Sequence, residues 1–211
     1  MPFRLPEALQ PEHIDVARTY LTDYYALPPS AASSYTGAAF DSWDSTGTRD
    51  RAADHFTADD LVAVSFLSVT VGPRAAHLLL QQDAASFAAL LAQVGPDRDL
   101  ADEEAPMLAD GPEFLLHRAL LALPDVGPTT ASKLFARKRP RLRPIYDSVV
   151  MKVTDTEGNL WEPLRVALRA SDNDLHHRLV ALRPRSGLGA SASPLRVLDV
   201  IAWMEGKAKG Y

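Results

Sequence analysis

Residues 123–128 read Leu-Pro-Asp-Val-Gly-Pro, a tight bend between two apolar stretches, and no other pattern in the chain constrains its fold as strongly. The stretch before it, from Phe114 to Leu123, has the composition of an apolar helix, which the Pro124-Asp125-Val126-Gly127 hairpin interrupts. Pro128 can open a second helix, because its missing N–H falls where a first-turn donor would be unpaired anyway. Small residues at Thr130, Ala131 and Ser132 let two helices approach closely, and Val126, Leu134 and Phe135 fill the wedge between them. The first-turn N–H groups of the second helix then point outward with the positive end of its dipole, which suits an anion such as a phosphate.

The rest of the chain reads as helices joined by turns. Periodic apolar residues predict helices over 11–26, 74–81, 84–94, 160–170, 172–182 and 194–206. Thr57 with Asp60 is a variant of the N-capping pattern and opens a buried helix; a strand through 62–71 is the competing reading, given its β-branched content. Residues 27–56 are rich in Ser, Gly, Pro and Asp and form a loop-rich segment holding Tyr35, Phe40 and Trp43. The expected fold is all-α: one helical, two-lobed unit over 1–211 with minor strand content at most, and a helix-hairpin-helix at 113–138.

Twenty-two basic against 27 acidic residues give a formal charge of -5, so nucleic-acid binding requires a local positive patch. Cysteine is absent, which excludes disulfides, thiolate metal sites and cysteine nucleophiles. His176 and His177 diverge around a helix and lack a carboxylate at ligand spacing, and the carboxylates at 41–60 suit turns and helix starts, so neither metal nor cofactor is expected. The first residues contain no apolar run of signal-peptide length, and no run approaches the ~18 apolar residues of a membrane span. The cytosol is the expected compartment, with no membrane partner and a monomer favoured.

The bend and a second motif together resemble the helix-hairpin-helix DNA glycosylases of the endonuclease III and alkyladenine-glycosylase type. LPDVGPTTA at 123–131 is similar to that family's Leu-Pro-Gly-Val-Gly-x-Lys-Thr-Ala, and YDSVVMKV at 146–153 to its Val-Asp-Thr-His-Val-x-Arg-Val, at about the family's interval. The close match covers about 40 residues, 114–153. The resemblance implies duplex DNA as partner, Asp147 as the catalytic carboxylate, and backbone contact through Pro124, Asp125, Val126, Gly127, Thr129, Thr130 and Lys133. Asp125 stands at the first hairpin glycine, Ser148 and Val149 at the Thr-His after the aspartate. Thr129 stands at the Schiff-base lysine, which implies a monofunctional enzyme that leaves an abasic site.

A buried anion at Asp147 would stabilise the positive charge that develops on a sugar as its N-glycosidic bond breaks, or would activate water. Asp147 also suits the N-cap of the helix after it, and the two roles can coexist. Arg137, Lys138, Arg139, Arg141 and Arg143 concentrate beside the bend and supply the expected local patch, with a solvated helix end as the alternative. Tyr146, next to Asp147, is the candidate for a base pocket, among Tyr35, Trp43 and Trp161. The expected function is therefore a monofunctional DNA glycosylase; a non-catalytic DNA-binding module and a helical protein-interaction domain are the alternatives.

Overall fold

The computed structural model describes residues 3–26, 35–106, 108, 110–189 and 191–211, and among these the chain is all-helical, without a strand. The central motif forms as its residues dictate. α5 (Pro112–Leu121) and α6 (Pro128–Lys138) flank the bend, and the Val126 N–H closes it on the Leu123 carbonyl at 3.2 Å. Asp125 takes φ +58°, a left-handed conformation that Asp tolerates better than most side chains.

The other helices are α1 (Ile14–Tyr25), α2 (Ala58–Ser65), α3 (Pro73–His77), α4 (Ala84–Val94), α7 (Ser148–Thr154), α8 (Trp161–Arg185) and α9 (Pro194–Ala208). A π-type turn at Leu78–Gln82 carries α3 into α4. α8 breaks at residues 170–173, where Ser171, Asp172 and Asn173 have positive φ; two helices are expected there, but the second begins after Asn173 rather than at Asp172 and runs on to Arg185. The capping pattern at Thr57 forms, with the Asp60 carboxylate accepting from the Thr57 N–H at 2.8 Å. The strand reading of 62–71 is overturned: α2 runs to Ser65, and Ser68 turns the chain with φ +61°. Of the loop-rich segment, 27–34 lies outside the described residues; 35–56 consists of turns and one 3-10 turn at Thr36–Ala39.

α2 and α5 pack on α6, α4 packs on α5, and α1, α7 and α8 pack on α9, with one contiguous core through both groups. α6 is consequently buried from Thr130 to Lys138. A helix buried on all sides should be apolar throughout, yet this one carries Lys133, Arg137 and Lys138. Their charge is matched from within. Arg137 pairs with Asp60 at 3.2 Å and also donates to the carbonyls of Phe40, at 2.8 Å, and Trp43. Lys138 reaches Asp60 at 2.5 Å and the Ala52 carbonyl at 3.0 Å. Arg139, just past the helix, donates to the carbonyls of Ala53, Leu91 and Gly95 and pairs with Asp54.

The expected exposed basic patch is therefore corrected. Arg137, Lys138 and Arg139 are 3 %, 6 % and 1 % exposed and are unavailable to a phosphate strand. Arg143 is buried too, and exposed Arg141 is engaged by the Asp99 carboxylate and, through its backbone, by Asp97. The basic run instead fastens the irregular segment 40–54 to the core: backbone carbonyls of a strandless loop need donors, and buried cations need acceptors.

α7 and α9 meet at Gly206, where an added Cβ would stand 2.3 Å from Val149 Cγ1 and 3.0 Å from Val153 Cγ2. Both are stiff β-branched side chains, so the helices would have to part. Gly206→Ala is expected to destabilise the protein by about 1–3 kcal/mol, the range of core overpacking, read as a lowered urea midpoint.

Candidate active-site cleft

A cleft of about 440 Å³ opens between the two helix groups. α6 contributes Thr129 and Lys133, the head of α7 contributes Asp147, α9 contributes Arg196, Asp199 and Trp203, and the turn after α2 closes one side. Asp147 caps α7: its Oδ1 accepts from the Val149 N–H at 3.0 Å. The same side chain remains 21 % exposed into the cleft, and its Oδ2 lies 3.9 Å from Lys133 Nζ. The capping and cleft-facing positions thus coexist in one residue.

Lys133 is almost fully buried and donates to the Leu67 carbonyl at 2.7 Å. Burial lowers its pKa, against the opposing influence of the Asp147 and Asp199 carboxylates. Asp199 is pushed up to about 6 by burial, although Arg196 opposes the shift. Arg196 binds Asp199, Asp41 at 3.1 Å, the Tyr24 hydroxyl at 2.7 Å and the Gly37 carbonyl at 3.0 Å. Burial works against its charge, but these carboxylates and tyrosines hold its pKa well above the ordinary value. The result is a fixed cation at the inner end of the cleft.

The wall is aromatic. Tyr24 and Tyr35 stack at 5.4 Å with an interplanar angle of 9°, and Trp203 meets Tyr35 edge-on at 5.6 Å. The close approach requires Gly37, since a Cβ there would lie 2.0 Å from the Tyr24 hydroxyl.

The bend leads into the cleft wall, where Thr129 is the lining residue nearest to it. Asp125 and Gly127 are exposed, Pro124 is half-buried, and half-buried Thr129 joins the bend to the cleft. Three expected backbone contacts are corrected. Val126 and Thr130 are buried in packing, and Lys133 points into the cleft rather than out to a strand. Tyr146 is corrected as well: it lines a different pocket. Of the other aromatic candidates, Tyr35 does line the cleft, Trp43 donates to Asp59 at 3.1 Å, and Trp161 is buried with its N–H on the Leu142 carbonyl.

Sequence reasoning missed Tyr24, Arg196, Asp199 and Trp203. One signal could have found the ion pair: Arg196 and Asp199 stand three residues apart inside the otherwise apolar run Pro-Leu-Arg-Val-Leu-Asp-Val-Ile-Ala-Trp, where charge must be paired. Among the described residues no group of His, Asp and Glu is placed to hold a metal ion, and no helix is long and apolar enough to cross a membrane.

Tyr146 belongs to a pocket of about 260 Å³ that also holds Arg143, His117 and Trp161. Burial, reinforced by the Arg143 guanidinium, pushes His117 down to about 4. An unfolded chain takes up that proton near the ordinary value of ~6.5, so the native state loses this contribution to stability as pH falls from there toward about 4. Asp199 acts in the opposite sense, because its raised folded pKa favours the native state in acid. The difference between parent and His117→Gln isolates the histidine: the parent's urea midpoint is expected to fall further than the variant's between those pH values.

No curated protein and no solved structure matches the chain. A family model described as a family of unknown function, DUF6308, matches residues 15–206, nearly the whole length. A central buried helix, a carboxylate at the head of the next helix and an aromatic cleft between them are thus the features of a chain that belongs to DUF6308.

Proposed function

We propose that the protein is a monofunctional DNA glycosylase that hydrolyses the N-glycosidic bond of a damaged or modified base in the cleft. One observation carries this reading: Asp147, the carboxylate of the second motif, lines the same cleft as Thr129 and Lys133 of the helix that the first motif opens. A base taken out of the duplex needs a stacking surface, which Tyr35 and Trp203 offer. Its sugar would lie beside Asp147, whose negative charge opposes the positive charge of the departing transition state. Cap and ion pair hold that carboxylate in one orientation, so no reorganisation is needed as charge develops. Asp199, whose pKa burial raises to about 6, is a cleft carboxyl able to supply a proton to the leaving base. Thr129 offers no amine at the position of the Schiff-base lysine, and the cleft amine of Lys133 is held by the Leu67 carbonyl and the Asp147 carboxylate, which favours release of an intact abasic strand.

With the basic run buried, phosphate contact falls to the bend and the first turn of α6, whose N-terminus no side chain caps. Binding to duplex DNA should therefore depend only shallowly on salt. The test is a panel of duplexes carrying uracil, hypoxanthine, oxidised, alkylated and glycosylated bases, scored for alkali-labile sites. The expected result is abasic product from at least one duplex with the parent protein and its formation slowed by about 10²–10³ with Asp147→Asn. Absence of product from every duplex, or activity untouched by the substitution, would remove the proposal.

A further inference from the structure

The pocket around Arg143 is separate from the cleft and plays no part in the proposed reaction. It lies between α5, the 143–146 segment and the start of α8. Arg143 is 6 % exposed, its Nε is buried without a hydrogen-bond partner, and among the described residues no carboxylate pairs with it. Every other buried cation among the described residues has carboxylate or carbonyl partners: Lys133, Arg137, Lys138, Arg139, Arg165 and Arg196 all do. Arg143 has instead the Trp161 ring at 4.1 Å, the Phe135 ring at 5.7 Å and the His117 Nε2 at 3.3 Å. Aromatic faces attract a guanidinium but accept none of its N–H hydrogen bonds in the plane. An unpaired buried charge is costly, and burial pulls this one down to about 9. A protein that matches its other buried cations so fully has left one facing a pocket.

We propose that this pocket binds a small organic carboxylate, its anionic group on Arg143 and its apolar body against Phe114, Tyr146 and Trp161. The charge count selects the ligand. Among the described residues Arg143 is the only charged one lining the pocket, and His117, held down to about 4, is neutral at physiological pH. The site therefore carries a single positive charge, which matches a monoanion and not a phosphate dianion. A planar carboxylate also fits the fork of a guanidinium. The remaining lining is mostly aromatic, proline and leucine, with the Asn159 amide as an added polar group, so the ligand has an apolar body. A volume of about 260 Å³ limits it to the size of a single ring with its acid group.

The test is isothermal titration calorimetry of the full chain with benzoate, with neutral benzamide and with inorganic phosphate. Saturable binding of benzoate is expected, with benzamide at least about tenfold weaker, the factor for losing one charge-assisted pair. Arg143→Gln should lose the preference for benzoate over benzamide. Because that buried variant can fail to fold, half-buried Leu121→Trp, which fills the pocket from α5, serves as a second variant and should abolish benzoate binding with the circular dichroism spectrum retained. The proposal is overturned by absence of saturable benzoate binding, by equal affinity for benzamide, by unchanged binding to folded Leu121→Trp, or by phosphate binding more tightly than benzoate.

Discussion

Asp60→Ala is expected to cost about 3–5 kcal/mol of stability, the loss typical when one partner of a buried ion pair is removed. Asp60 is 2 % exposed and serves four groups: the Thr57 N–H and hydroxyl at the start of α2, Arg137 Nε and Lys138 Nζ. Alanine would leave two cations in the core of α6 with carbonyl partners alone. Burial already lowers the pKa of Lys138, and Asp60 opposes that shift. Without Asp60 the folded-state pKa drops further below the unfolded one, so the unfolded chain binds the extra proton and the variant recovers stability as pH rises toward the ordinary lysine range. Chemical denaturation at neutral pH and again at alkaline pH measures both effects. A loss of under about 1 kcal/mol, the scale of a surface pair, would mean that the Asp60 carboxylate does not hold α2 to α6.

Asp147→Asn has the other large expected effect, on chemistry rather than stability. Asn caps a helix as well as Asp does, so α7 should keep its head and the unfolding midpoint should stay near the parent value. What disappears is the charge. Removing an electrostatic contact to a transition state costs about 10²–10³ in rate, and single-turnover excision on the best duplex of the panel should fall by that much. A variant that loses activity and stability together would indicate a capping role alone.

Local chemistry made much of this legible. The bend at 124–127 and the cap at Thr57 with Asp60 are written in nearby residues, and each appears where its residues stand; the boundary expected between helices at 160–170 and 172–182 also appears, but its break reaches over 170–173. The basic run is different. Five cations in seven residues read as surface charge, because the groups that draw them inside are far along the chain: Asp60 is 77 residues from Arg137, and the Ala52 carbonyl 86 from Lys138. No local rule reveals that a loop lacking regular structure will turn its carbonyls toward α6. The cleft was half visible for the same reason. Asp147 lies next to a recognisable motif, whereas Arg196 meets Tyr24 across 172 residues and Asp41 across 155. Tyr146 adjoins Asp147 in sequence, yet as the residues preceding α7 the two side chains serve different pockets, and adjacency gave the wrong aromatic.

The central claim is that Asp147 meets a positively charged sugar in the cleft, and it can be tested without knowing which base is removed. A duplex carrying a cationic pyrrolidine in place of one deoxyribose mimics that transition state. Measured at one fixed salt concentration, the protein should bind this duplex about a hundredfold more tightly than the same duplex unmodified, the lower end for transition-state analogues. Asp147→Asn should lose that preference while keeping its affinity for the unmodified duplex. Equal affinity of the parent protein for the two duplexes, or a preference that survives the substitution, would contradict the account.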